Sequence, residues 1–220
     1  MTIRTALFDL DGTLVDSLED LADAVNHVRH VFSHPQLTVD SVRLMVGKGA
    51  PNLIRQALPQ ASDDDVSHAL TLFLEYNRLH IADKSHLYPG ILVTLHALAD
   101  LSIKMAVITN KNEDLSELLL QSLGIYDLFA FNCGGDTYPE RKPSPLPLLK
   151  VIDTLGFALN ECVMIGDSSN DIQAGQRAGI TTIGCSWGYG NRDELVKADM
   201  LVHTPQELIA AITSGLDRQI

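Results

Sequence analysis

FDLDGTLVDS, residues 8–17, is the stretch on which the reading of the whole chain turns. Ile3, Ala6, Leu7 and Phe8 lead into it as a buried strand would. The strand then meets two carboxylates, Asp9 and Asp11, followed at once by Gly12 and Thr13. Unpaired carboxylates inside a protein cost several kcal/mol each, so a cationic partner must lie elsewhere in the chain.

Working outward, short β-rich runs alternate with helical patterns. The expected strands are residues 4–10, 103–110, 128–134, 161–167, 181–187 and 200–203. Helices fill the gaps, with Gly124 and Gly156 as left-handed stops after residues 113–123 and 145–155. This alternation predicts an α/β fold, a parallel sheet with helices on both faces. One segment breaks the pattern. Leu18, Leu21, Ala22, Val25, Val28 and Phe32 form an i, i+3, i+4, i+7 stripe, and Ser17 with Asp20 resembles a capping box. Val66, Ala69, Leu70, Phe73, Leu74 and Ile81 mark a second long helix beginning near Asp63–Asp65. Residues 16–85 are therefore expected to form a helical insertion, with residues 1–15 and 86–220 making the core domain.

The 220 residues are 45% hydrophobic, enough for a core domain and a smaller companion. A formal net charge of -12 argues against nucleic-acid or anionic-membrane partners. Any anion site must then be built locally. Cys133, Cys162 and Cys185 lack metal-binding spacing and read as buried reduced thiols. Arg4 and Asp9 interrupt any secretory apolar segment, and no run approaches the ~18 apolar residues of a membrane span, so a cytoplasmic location is expected.

Ligands in open parallel sheets bind beyond the carboxyl ends of the strands. The residues leaving the expected strands are Asp9 and Asp11, then Thr109, Asn110 and Lys111, then a loop reaching Lys142, then Asp167 and Asp171. Carboxylates from two strands make a hard oxygen site suited to Mg²⁺, which supplies the missing cation. Thr109 offers a hydroxyl, Asn110 offers donors near a helix N-terminus, and Lys142 offers an ammonium. Metal, donors, ammonium and a carboxylate not held solely by the metal are the parts of phosphoryl transfer through an aspartyl-phosphate.

DLDGTLVDS, VITNK, the lysine of RKPSP and IGDSSND resemble the four motifs of the haloacid dehalogenase superfamily, spanning residues 9–171. The resemblance implies a Rossmann-like core with a small inserted α-helical cap. It implies Asp9 as nucleophile and Asp11 as general acid and base. Mg²⁺ would be held by Asp9, the backbone carbonyl of Asp11, and Asp167, with Asp171 orienting waters or Lys142. Thr109, Asn110 and Lys142 would bind the transferring phosphate. Thr13 favours a phosphatase over a mutase, and residues 45–58 and 142–156 resemble phosphoglycolate phosphatases. A small phosphorylated metabolite is thus the expected substrate of a monomer or homodimer, with Lys48 of the cap meeting its carboxylate. Arg55 and His27 are further cap candidates. Phosphosugar, nucleotide and pyrophosphate phosphatases and phosphomutases share these motifs, and a phosphate-binding module without catalysis is disfavoured by the intact Asp9 and Asp11.

Overall fold

The computed structural model describes residues 2–214. Six strands form one parallel sheet: β1 (Thr5–Phe8), β4 (Lys104–Ile108), β5 (Phe131–Cys133), β6 (Cys162–Gly166), β7 (Thr181–Cys185) and β8 (Met200–Val202). Their order is β5-β4-β1-β6-β7-β8, so β1 is central and pairs in register with β4 (Phe8 opposite Val107) and β6 (Phe8 opposite Ile165). Both faces are covered. Ala6 and Phe8 point into one apolar cluster with Val107 and Ile165, whereas Leu7 points into another with Ala106 and Met164. Strands buried on both sides read as continuous apolar runs, which is why they are visible in the sequence.

The covering helices are α5 (Ile91–Asp100), α6 (Glu113–Ser122), α7 (Leu146–Leu155), α8 (Ser169–Ala178), α9 (Arg192–Leu195) and α10 (Glu207–Thr213). Gly124 and Gly156 adopt φ of +69° and +75°, the left-handed stops expected of them. Cys133, Cys162 and Cys185 are free and buried. No helix among the described residues is long and apolar enough to cross a membrane.

Between β1 and α5 lie four helices: α1 (Leu18–Val31), α2 (Val39–Arg43), α3 (Ala50–Ala57) and α4 (Asp63–Leu79). They enclose an apolar cluster of their own, including Leu21, Val25, Val42, Ile54 and Phe73. The chain leaves the core through β2 (Val15–Asp16) and returns through β3 (His86–Leu87), and these two pair antiparallel. That ribbon is too short to announce itself by periodicity.

The expected capping box at α1 is not formed. Ser17 occupies the N-cap position without a side-chain cap bond, and its hydroxyl donates instead to Asp11 Oδ1 at 2.5 Å. Asp20 faces the returning chain. Its carboxylate accepts from Lys84 N (3.1 Å), Ser85 N (2.8 Å) and Ser85 Oγ (2.6 Å). A buried acid satisfied by three donors outcompetes a local cap. The result fastens the outgoing helix to the incoming strand.

Candidate active site

Asp9 immediately follows β1, and its N–H donates to the carbonyl of Ile165 on β6, which fixes the backbone at the sheet's carboxyl edge. Its Oδ1 accepts from Leu10 N at 2.7 Å and lies 2.8 Å from Lys142 Nζ. Lys142 also reaches Asp171 Oδ1 at 2.6 Å. The other oxygen of Asp171 accepts from the N–H and hydroxyl of Ser168, capping α8. Asp171 therefore fastens a helix N-terminus and a buried ammonium together.

Asp167 leaves β6 beside them. Thr13 Oγ1 donates to its Oδ1 (3.0 Å), and Tyr189 N (2.7 Å) and Gly190 N (3.3 Å) donate to its Oδ2. Trp187 Nε1 holds the Thr13 carbonyl at 3.0 Å, so the loop after β7 clasps the motif after β1. Gly12 sits at φ +88°, and a Cβ there would lie 2.4 Å from Asp167 Oδ2. The Asp-Gly pair is a demand of close approach as well as of turn geometry.

Asp9, Asp167 and Asp171 are buried, and each offers a carboxylate oxygen within 4.8 Å of the others. Lys142 is the ammonium paired with this cluster, being bonded to Asp9 and Asp171. Three carboxylates and one ammonium leave two negative charges. All the donors are hard oxygens, so the residues fit a small divalent cation. The electrostatics agree. Burial raises the Asp9 carboxyl well above its usual range, with Asp171 adding to the rise and Lys142 opposing it. Burial, then Asp171, pushes Asp167 up to about 6. For Lys142, burial alone would lower the ammonium, but Asp171 and Asp9 hold it above the ordinary lysine range. Carboxylates raised in this way are short of positive charge.

Asp11 stands apart from that cluster. Its side chain is bonded to Ser17 and to Lys111 Nζ, at 3.3 and 3.4 Å from its two oxygens. The Lys111 side chain is almost wholly buried; the sequence places it at the end of β4 after Thr109-Asn110 without pointing to a role for it. Thr109 and Asn110 lie at the same edge, both buried. The Asn110 amide, expected to be a free donor, is engaged. It donates to Gly47 O of the cap loop (2.8 Å) and to Lys142 O (3.0 Å). Asn170 donates to the same Gly47 oxygen at 3.2 Å.

The cleft between core and helical insertion has about 510 Å³ of empty space, open mouth included. Its core wall is Asp9, Asp11, Thr109, Asn110, Lys111, Asn112 and Leu115. Its cap wall is mostly apolar, with Leu21, Val46, Leu53 and Phe73, plus Asn77. Lys48 is exposed and is not among the lining residues, although Gly47 and Gly49 on either side of it are. Arg55 pairs with Asp63 on the surface, and His27 stacks on Tyr76. The structure brings none of these three cap candidates into the cleft.

A parallel sheet carrying a carboxylate on its central strand, an acid-lysine cluster beside it and a helical lid above defines a class of hydrolase. The haloacid dehalogenase-like hydrolase family model matches residues 6–185, and the chain belongs to that family. Among its relatives are the phosphoglycolate phosphatase of Chromobacterium violaceum, 38% identical over 97% of this chain and 98% of that protein. That of Neisseria meningitidis serogroup A is 36% identical over 94% of this chain and 92% of its own length. A crystal structure described as a predicted phosphoglycolate phosphatase from Haemophilus somnus 129PT superposes with a TM-score of 0.91 at 30% identity, covering 96% of this chain and 98% of that one.

Proposed function

We propose that this chain is a Mg²⁺-dependent phosphatase that hydrolyses 2-phosphoglycolate to glycolate and phosphate. The observation that carries the reading is Asp9, a buried carboxylate on the core wall of the cleft, linked through Lys142 to Asp171 and grouped with Asp167. The near full-length likeness to phosphoglycolate phosphatases supports the choice of substrate.

In this mechanism a carboxylate oxygen of Asp9 attacks phosphorus in line. The bond to the glycolate oxygen breaks as Asp11 delivers a proton to that oxygen. Water then attacks the aspartyl-phosphate, Asp11 takes its proton, and the Asp9–phosphorus bond breaks to restore the enzyme. General acid–base work of this kind is worth ~10²–10⁴-fold. Ser17 and Lys111 hold Asp11 from two sides and fix its aim. Thr109, the backbone at Asn110, and Lys142 hold the transferring oxygens, where charge develops. Asp9, Asp167 and the backbone carbonyl of Asp11 would hold the metal, with Asp171 fixing Lys142 beside them. When bound, the metal neutralises phosphoryl charge.

Phosphate release from a panel of monoesters, measured with purified protein and Mg²⁺, tests this. Phosphoglycolate should give the highest kcat/KM, and Asp9→Asn should abolish turnover while leaving the circular dichroism spectrum unchanged. A higher kcat/KM on a sugar phosphate, nucleotide or pyrophosphate would refute the substrate, and activity persisting in Asp9→Asn would refute the covalent route.

A further inference from the structure

Asn77 is 2% exposed, lies four residues after the buried Phe73 on α4, and lines the cleft. Its carboxamide has no hydrogen-bond partner among the described residues. The other polar side chains of the cleft are committed, apart from the carboxamide oxygen of Asn110, which is buried without a partner on the core wall. Lys111 pairs with Asp11, Asn112 donates to Asp136 at 2.8 Å, and the Asn110 amide bridges Gly47 and Lys142. Thr109 and Asp9 belong to the phosphoryl end. The amide faces a cleft walled by Leu21, Leu53 and Phe73, and a ligand that fills the cleft and displaces water must supply its partner or leave it unpaired at a cost of about 1–3 kcal/mol.

The surroundings specify what completes it. No cap lysine or arginine lines the cleft among the described residues, because Lys48 is exposed and Arg43 lies over the Tyr189 ring at 5.7 Å. The cap wall around Asn77 is aliphatic and aromatic, which keeps water out and strengthens a single well-placed hydrogen bond. Arg78, the next residue, is ion-paired with Asp114 of α6, so this end of α4 is fastened to the core.

We infer that Asn77 is the specificity-determining residue of the cap, its amide N–H donating to the carboxylate of a short phosphorylated acid whose phosphate sits at Asp9. This rests on the phosphoglycolate reading above and names the group that selects the leaving alcohol. A donor to a carboxylate is a charge-assisted bond, worth roughly a 10- to 150-fold difference in kcat/KM.

The test compares wild type, Asn77→Leu and Asn77→Asp on phosphoglycolate, O-phosphoethanolamine and p-nitrophenyl phosphate, with melting curves alongside. Asn77→Leu should lower kcat/KM for phosphoglycolate at least about tenfold more than for the aryl phosphate, which has no carboxylate. Asn77→Asp keeps the shape but places a negative charge at the same point. It should shift the ratio of phosphoglycolate to phosphoethanolamine turnover toward the amine, a change that damage to the cap would not produce. Equal losses on all three substrates, no loss, or an unmoved ratio in Asn77→Asp would each overturn the inference while leaving the phosphatase reading intact. Absence of wild-type turnover of phosphoglycolate would overturn both.

Discussion

Replacing Asp20 with alanine should weaken the whole molecule, although Asp20 is remote from the chemistry. The side chain is 2% exposed and serves three donors of the returning chain, two of them backbone amides. An unpaired buried donor costs about 1–3 kcal/mol. The Ser85 amide is buried and bears that cost fully, whereas the Lys84 residue is exposed enough for water to serve its amide in part. The Ser85 hydroxyl can rotate to another acceptor. The sum is about 2–4 kcal/mol for Asp20→Ala, and roughly half that for Asp20→Asn, which keeps one acceptor oxygen. Equilibrium urea unfolding followed by circular dichroism reads this directly, as a lower midpoint at nearly unchanged slope. Ser85→Ala alone should cost ~1 kcal/mol, and the double variant should lose less than the sum of the singles, because the hydroxyl bond is already gone in Asp20→Ala. A loss below about 1 kcal/mol in Asp20→Ala, or full additivity of the pair, would refute the fastening role.

Three further outcomes are expected. Lys142→Met leaves Asp9 and Asp171 buried without their ammonium, so it should abolish turnover and cost about 3–5 kcal/mol, with Asp171→Asn in the same chain recovering stability but not activity. Asp167 is raised to about 6 by burial and then by Asp171, so in metal-free protein the native state holds its proton more tightly than the unfolded chain does. Its contribution to stability should therefore fall by about 3 kcal/mol as pH rises from ~4 to ~6. It is read as the difference between wild type and Asp167→Asn in EDTA, with Mg²⁺ stabilising more at pH 8 than at pH 5; a difference that grows with pH would contradict the sign. Lys48→Ala should change both kcat/KM on phosphoglycolate and the melting temperature little, because the side chain is exposed outside the cleft, and a tenfold loss of activity would place it back in the site.

The most legible parts of the site each end a buried strand, whereas Lys142 lies in the loop before α7 and Asp171 on α8. Asp9, Thr109 and Asp167 follow runs of apolar residues whose length and alternation mark a parallel sheet, and the carboxyl-edge rule then gathers them. What stayed illegible depends on contacts between distant segments. Asp20 mimics a local cap but meets residues more than sixty positions away. Lys48 and Lys111 look equally plausible as lysines beside glycine or asparagine, and the orientation of two loops decides that Lys111 is buried against Asp11. Asn77 did leave a trace, since it falls on the buried stripe of α4 after Phe73, where an apolar residue is expected. A polar residue on an apolar stripe was the signal to follow.

The pairing of β2 with β3 makes residues 17–85, by connectivity, the loop of a β-hairpin. Loop closure grows only logarithmically with length, so enlarging a loop from ~4 to ~70 residues costs roughly 2–3 kcal/mol. The apolar cluster inside the loop offsets that cost from its own resources. Whatever is housed between Asp16 and His86 can thus be exchanged without disturbing the strand that carries Asp9. Such an arrangement lets evolution vary the choice of leaving group independently of the bond being cut, as a handle admits different blades.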